Sequence, residues 1–115
     1  MQFYHKNGPQ PNRAKVLTTG FSPVEQYDNA GNLGPWSDIY ALGATMRACL
    51  DYKIPPASID RQKEETLQPA VKLYKRKFPE YLLAAIDWSM AVNAADRPQS
   101  IADLRKALDL ESLGR

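Results

Sequence analysis

The sequence predicts an all-α chain, a partial helical bundle with an extended N-terminal arm. Three observations carry that expectation. Apolar residues recur at helical spacing in three separate segments, Ile39–Leu50, Leu82–Val92 and Ile101–Leu108. Pro and Gly cluster between and before those segments. No stretch alternates apolar and polar side chains convincingly, as a half-buried strand would. The 115 residues, 43% hydrophobic and 24% charged, suit one globular domain or part of one.

Residues 1–17 read as an arm, because Gly8-Pro9-Gln10-Pro11-Asn12 punctuates them and no helical period appears. Residues 18–35 read as irregular. Gly20, Pro23, Asn29, Gly31, Asn32, Gly34 and Pro35 leave little room for regular structure, apart from a short helical turn at Val24–Tyr27. The first strong helix starts near Trp36, where Ser37 or Asp38 offers an oxygen to the first unpaired amides. Ile39, Leu42, Met46 and Leu50 share a face with Gly43, Ala44 and Cys49 beside them, wide enough for a buried helix. Lys53-Ile54-Pro55-Pro56 ends it.

Ala57–Gln68 holds one short helix, Pro69 breaks it, and Ala70–Lys77 forms another turn or two. A further helix runs from about Pro79 to Val92, with Leu82, Leu83, Ile86, Met90 and Val92 inward and Pro79 suited to its first turn. Asn93–Pro98 is a polar loop. The last helix begins at Ser100, with Asp103 three residues on in a capping-box arrangement. Ile101, Leu104 and Leu108 form its inward stripe. Tyr52, Tyr81 and Trp88 read as packing residues.

Composition excludes several classes. The net charge of +2 is too small to argue for nucleic acid by itself. Lys72, Lys75, Arg76 and Lys77, interleaved with Tyr74 and Phe78, could touch phosphates or an acidic partner, but a charge run is more often a solvated face. Cys49 is the only cysteine, so no internal disulfide and no Cys-based metal site is expected. His5 stands alone and is assigned nothing. The first residues lack a basic-then-apolar signal pattern, and no apolar run approaches the ~18 residues of a membrane span. The chain reads as cytoplasmic.

Three motifs carry functional information. They are Thr18-Thr19-Gly20-Phe21-Ser22-Pro23-Val24-Glu25-Gln26, then Trp36-Ser37-Asp38-Ile39-Tyr40-Ala41-Leu42-Gly43-Ala44-Thr45, then Asp96-Arg97-Pro98-Gln99-Ser100. In this order and at these separations the chain resembles the back half of a protein kinase, from the end of the activation segment to the last helix of the large lobe. The resemblance covers about Val16 to Leu108. It implies a fold equivalent to the lower half of the kinase large lobe, with residues 1–17 an activation-segment remnant and residues 18–115 the lobe fragment. Thr18-Thr19-Gly20-Phe21 favours the serine/threonine type.

The resemblance also implies roles. Thr18, Thr19, Gly20, Phe21 and Ser22 would form the substrate loop, with Gly20 where backbone passes close to substrate and Thr18 offering a hydroxyl toward a catalytic carboxylate. The family usually shows Ala-Pro-Glu where this chain has Pro23-Val24-Glu25, so the proline is shifted by one while Glu25 stays in place. Glu25 and Arg97 would form a buried ion pair, since a guanidinium can grip a carboxylate with two parallel hydrogen bonds. Trp36 and Asp38 would anchor the start of the central helix. Asp38 would have lost its catalytic-loop partner and acts here as a cap.

Phosphoryl transfer needs a glycine-rich loop over the phosphates, a lysine, a His-Arg-Asp-type catalytic aspartate and a metal-binding aspartate. The sequence has no Gly-x-Gly-x-x-Gly and no His-Arg-Asp. No catalytic, cofactor-binding or metal-binding residue is therefore assigned to this chain, while ATP and Mg are implied for the parent, together with a protein substrate. Met1 reads as a fortuitous start just past the point where the metal-binding aspartate would sit. The chain is expected to be inactive alone. No Ser or Thr lies between Gln2 and Leu17, so the parent is expected not to be switched by phosphorylation in mid-segment. The central helix, lacking its upstream cover, is expected to drive self-association, directly or by exchange of the arm. The alternatives are a small helical module binding an acidic partner or nucleic acid, and a pseudokinase-derived domain.

Overall fold

The computed structural model describes residues 18–27 and 31–109. The arm, residues 1–17, lies outside the described residues, as does any test of where it divides from the rest. Five helices follow two short loops: α1 (Pro35–Asp51), α2 (Ser58–Lys63), α3 (Ala70–Leu73), α4 (Glu80–Ser89) and α5 (Ile101–Leu108). Short 3₁₀ turns occupy Val24–Tyr27 and Ala94–Asp96. No strand occurs among the described residues. The all-α reading therefore stands.

α1 is the longest of the described helices. It starts where expected, within one residue of Trp36, but with a different cap: Gly34 is the N-cap and Pro35 takes the first helical position, where its fixed φ is already helical and its missing N–H costs nothing. Neither Ser37 nor Asp38 occupies the N-cap. Ser37 sits three residues into the helix, and its Oγ accepts the Gly34 N–H at 3.3 Å. Asp38 is half-buried in the first turn, where a carboxylate meets the positive end of the helix dipole. The helix ends at Tyr52, which adopts a left-handed conformation at φ 59° and donates its N–H to Ala48 O at 2.8 Å.

The core forms where α1 crosses α4. Tyr40 and Ala44 of α1 pack on Ile86 and Met90, with Phe21, Met46, Leu50, Leu67 and Leu82 around them. Gly43 permits this approach. A Cβ there would lie 2.7 Å from Ser89 Cβ, closer than real contacts allow. A second cluster joins Ile39, Ala85 and Leu104, bringing α5 onto the other flank.

Several expected inward residues turn outward. Leu42 is 44% exposed and Cys49 is exposed, so the inward stripe of α1 runs through Ile39, Tyr40, Gly43, Ala44 and Arg47 instead. The reason is that Arg47, charged in sequence, finds buried partners and takes the place of an apolar residue. Ile101 is 50% exposed, since only Leu104, with Ala107 and Leu108 beside it, meets the Ile39 cluster. Tyr52 and Trp88 are exposed rather than packed. α4 starts after Pro79, which is its N-cap, and stops at Ser89 rather than Val92. α5 follows expectation at its start, with the Ser100 Oγ accepting the Asp103 N–H at 3.1 Å.

Candidate functional site

The Thr18–Ser22 segment is a compact turn. The amides of Phe21 and Ser22 both donate to Thr18 O, at 2.9 and 3.0 Å, and the Thr18 amide donates to Ser22 Oγ at 2.9 Å. Thr18 and Thr19 are exposed, while Gly20, Ser22 and Pro23 are buried and Phe21 packs on the Tyr40 cluster. Ser58 Oγ donates to Ser22 O at 2.7 Å, pinning the turn to α2.

Gly20 sits at φ +91°, a conformation side chains rarely adopt. A Cβ there would stand 2.3 Å from Ile54 Cγ2 and 2.7 Å from Pro55 O. The close approach that demands glycine is thus to the segment after α1, an intramolecular neighbour.

Glu25 follows on the 3₁₀ turn, and Arg97 reaches it across 72 residues of sequence. Nη1 donates to Glu25 Oε2 at 2.7 Å and Nη2 to Oε1 at 3.0 Å, two parallel bonds in fork geometry. The other three donors are also used: Nη1 to Trp36 O at 3.0 Å, Nη2 to Val92 O at 2.9 Å and Nε to Ala91 O at 2.7 Å. All five guanidinium N–H groups therefore have acceptors. The guanidinium carbon also lies 4.9 Å from the centre of the Tyr40 ring. Arg97 is 2% exposed and joins four places: the loop turn, the start of α1, the Tyr40 face and the end of α4.

The carboxylate is satisfied in turn. Ser37 Oγ donates to Glu25 Oε2 at 2.7 Å. Burial pushes the Glu25 carboxyl up, but the bonds from Arg97 and Ser37 and the Arg97 charge outweigh it, so it lies below the usual carboxylate range. Trp36 is half-buried. Its Nε1 donates to Asn32 O at 2.9 Å and its ring lies against Gly34, where a Cβ would come within 2.5 Å of Cζ2.

Two further buried arginines escaped the sequence reading. Arg61 Nη1 donates to Tyr40 OH at 3.0 Å and to Met90 O at 2.8 Å, while Nε and Nη2 grip Glu65. Burial raises the Tyr40 hydroxyl pKa despite the neighbouring arginines. Arg47, 1% exposed, donates from Nε to Asp51 Oδ2 at 2.9 Å and places Nη1 3.8 Å from Asp87 Oδ1. The only sequence signal was i, i+4 spacing, Arg47 to Asp51 and Arg61 to Glu65, which ordinarily marks a solvent-facing pair.

The chemistry open to this arrangement is positioning. Among the described residues no group of three or more His, Cys, Asp or Glu could hold a metal ion. A surface depression of about 470 Å³ on α5 is lined by Ala102, Arg105, Lys106, Leu108 and Asp109, with a single carboxylate. The described donor set does not fit Mg–ATP, and no step through that group follows from this chain. No described helix is long and apolar enough to cross a membrane.

No family model matches the sequence. Among curated proteins, the Serine/threonine-protein kinase PknK of Mycobacterium tuberculosis is 36% identical over 83 residues, 64% of this chain and 7% of that protein. PknK of Mycobacterium bovis matches to the same extent. A solved structure described as "PpkA-294 apo form" superposes with a TM-score of 0.75 at 37% identity, covering 82% of this chain and 32% of that one. The chain thus spans a small part of the proteins it matches. Motif order, helical architecture and these two levels of identity converge on a segment of the helical large lobe of a serine/threonine protein kinase.

Proposed function

We propose that this chain supplies the substrate-side loop and the helical base of a serine/threonine protein kinase, and that it transfers no phosphate by itself. The observation that carries the reading is the five-donor Arg97 clamp. It fixes the Thr18–Ser22 turn, through Glu25, to the start of α1 and the end of α4. Catalysis by positioning requires a loop held to well within an ångström of its productive place. In this reading the exposed Thr18 and Thr19 meet a protein substrate, Phe21 and Ser22 anchor the loop, and Trp36 and Asp38 hold the helix start. ATP and Mg would be held by an upstream part of the parent, which works in the cytoplasm. Support comes from the kinase relatives.

The test is calorimetric titration of Mg–ATP into this chain and into a version extended upstream through the parent's front half. Binding by the extended protein alone supports the proposal. Binding by the short chain overturns the claim that it is inert. Binding by neither favours a pseudokinase parent.

Self-association belongs to the same proposal. Leu42, Thr45, Cys49 and Tyr52 line one exposed stripe of α1. Light scattering at high concentration should find a dimer or larger species, and a monomer throughout would refute this part.

A further inference from the structure

The segment Ala70–Phe78 forms a platform tied to the rest of the fold through Asp87 and Asp51. Asp87 holds its start: Oδ1 accepts the Ala70 N–H at 2.7 Å and Oδ2 the Val71 N–H at 3.1 Å. Ala70 is fully buried. Tyr74, further along, donates its hydroxyl to Asp51, and its ring meets Phe78 edge-on at 6.2 Å. The amides of Lys77 and Phe78 close on Tyr74 O at 2.8 and 3.2 Å, so the chain keeps turning as far as Phe78.

Lys72, Lys75, Arg76 and Lys77 project from this platform, all exposed. None of them makes an ion pair within the described residues. The acids beneath are already engaged: Asp51 by Arg47 and Tyr74, Asp87 by the α3 amides and Arg47. Glu80 is the nearest acid in sequence, beyond Pro79 in the first turn of α4. Lys72 lies in the last turn of α3 and Lys75, Arg76 and Lys77 lie in the turn that follows it, so the four cations fall within six consecutive residues and act as one field. Leu73 lies among them and Phe78 directly follows them, and both are exposed.

We propose that this platform is a docking surface for an acidic protein segment carrying an apolar side chain. The backbone that carries the cations is anchored through Asp87 and Tyr74, so the four stay clustered, and none of them makes an ion pair among the described residues. Leu73 and Phe78 offer the apolar contact. A protein segment fits better than single-stranded nucleic acid, which needs open aromatic faces for stacking. Tyr74 is tied down through its hydroxyl, leaving Phe78 as the segment's exposed aromatic ring. The inference is independent of the kinase reading.

The test is fluorescence anisotropy on the full chain with a labelled peptide of alternating Glu and Leu, a Glu–Ser counterpart and a labelled single-stranded oligonucleotide. The Glu–Leu peptide should bind most tightly, and K72E/K75E/R76E/K77E should weaken it at least tenfold. The L73A/F78A variant should cut the preference for Glu–Leu over Glu–Ser. Circular dichroism checks that each variant is folded. Should the fourfold reversal fail to fold, K75E/K77E replaces it and should weaken binding by roughly half as much on a logarithmic scale. No binding of the Glu–Leu peptide, binding unchanged in the charge variants, or tighter binding of the oligonucleotide would each overturn the proposal. Failure here leaves Mg–ATP binding by the extended protein untouched, so the two proposals fail separately.

Discussion

Arg97 grips Glu25 with two parallel hydrogen bonds, at 2.7 and 3.0 Å, across 72 residues of sequence. Each partner is buried, and each has its remaining polar atoms satisfied by Ser37, Trp36, Ala91 and Val92. Completeness matters more than the pair itself. A buried ion pair gives little net stability against an apolar substitute, yet removing one partner strands a charge and several acceptors.

Arg97→Ala should therefore cost about 3–5 kcal/mol, enough to unfold much of a domain this small. Arg97→Lys should recover only part of the loss, because an ammonium has three donors where five acceptors wait. Urea titrations followed by circular dichroism measure both. A midpoint for Arg97→Ala equal to that of the unaltered chain would show the clamp to be dispensable.

Acid should unfold the chain through the same carboxylates. The Glu25 carboxyl is held low against its own burial, and Glu65 is held low chiefly by its bonds to Arg61. A carboxyl whose folded pKa lies below its unfolded value of about 4.3 binds more protons unfolded than folded in that window. Its stabilisation is fully present above about pH 4.3 and drains away as pH falls through the folded value. Urea midpoints should be flat from neutral pH to about 5 and then drop. In Glu25→Gln the whole curve should be lower and the acid drop shallower. An unaltered acid limb in that variant would assign the titration elsewhere.

Gly20→Ala tests the loop. The new methyl meets Ile54 Cγ2 and Pro55 O, and the backbone is at φ +91°. Strain and overlap together should cost roughly 2–4 kcal/mol. Limited proteolysis should reveal faster cleavage near Thr18–Ser22. Equal cleavage rates would mean that the loop can shift to accept a side chain.

Tyr52 offers the opposite experiment. It closes α1 in a left-handed conformation that glycine adopts without cost, and its side chain is 94% exposed. Tyr52→Gly should stabilise the chain by about 1 kcal/mol, since little packing is lost. A lower urea midpoint would show that the exposed ring contributes something at that corner.

The helices were legible because their apolar periodicity, prolines and caps are local signals, and local chemistry decides whether a segment can be helical. Ser100 with Asp103 and the turn at Val24–Tyr27 read correctly from neighbours in sequence, whereas Pro69 does not break α2, which ends at Lys63, but caps the start of α3. The cap of α1 was not legible, although its start near Trp36 was: Gly34 is the N-cap and Pro35 the first helical residue, so Ser37 falls inside the helix. The Glu25–Arg97 separation could be suspected only by resemblance, since 72 intervening residues carry no periodic sign of it.

What the sequence by itself determined is the helical class, the approximate element boundaries and the kinase kinship written in three short motifs. The inward residues Ile39, Leu83, Ile86, Met90 and Leu104 were also legible, and what only the tertiary structure decided is which polar side chains join them inside. Arg47, Arg61 and Arg97 are buried while Leu42 and Ile101 are not. Periodicity counts apolar residues, but burial of a charge depends on whether distant acceptors converge on it. Tyr40 OH and Met90 O do so for Arg61, Asp51 for Arg47, and Glu25 with three backbone carbonyls for Arg97. Those acceptors come together only when the helices pack, so the information lies in the arrangement of the whole chain.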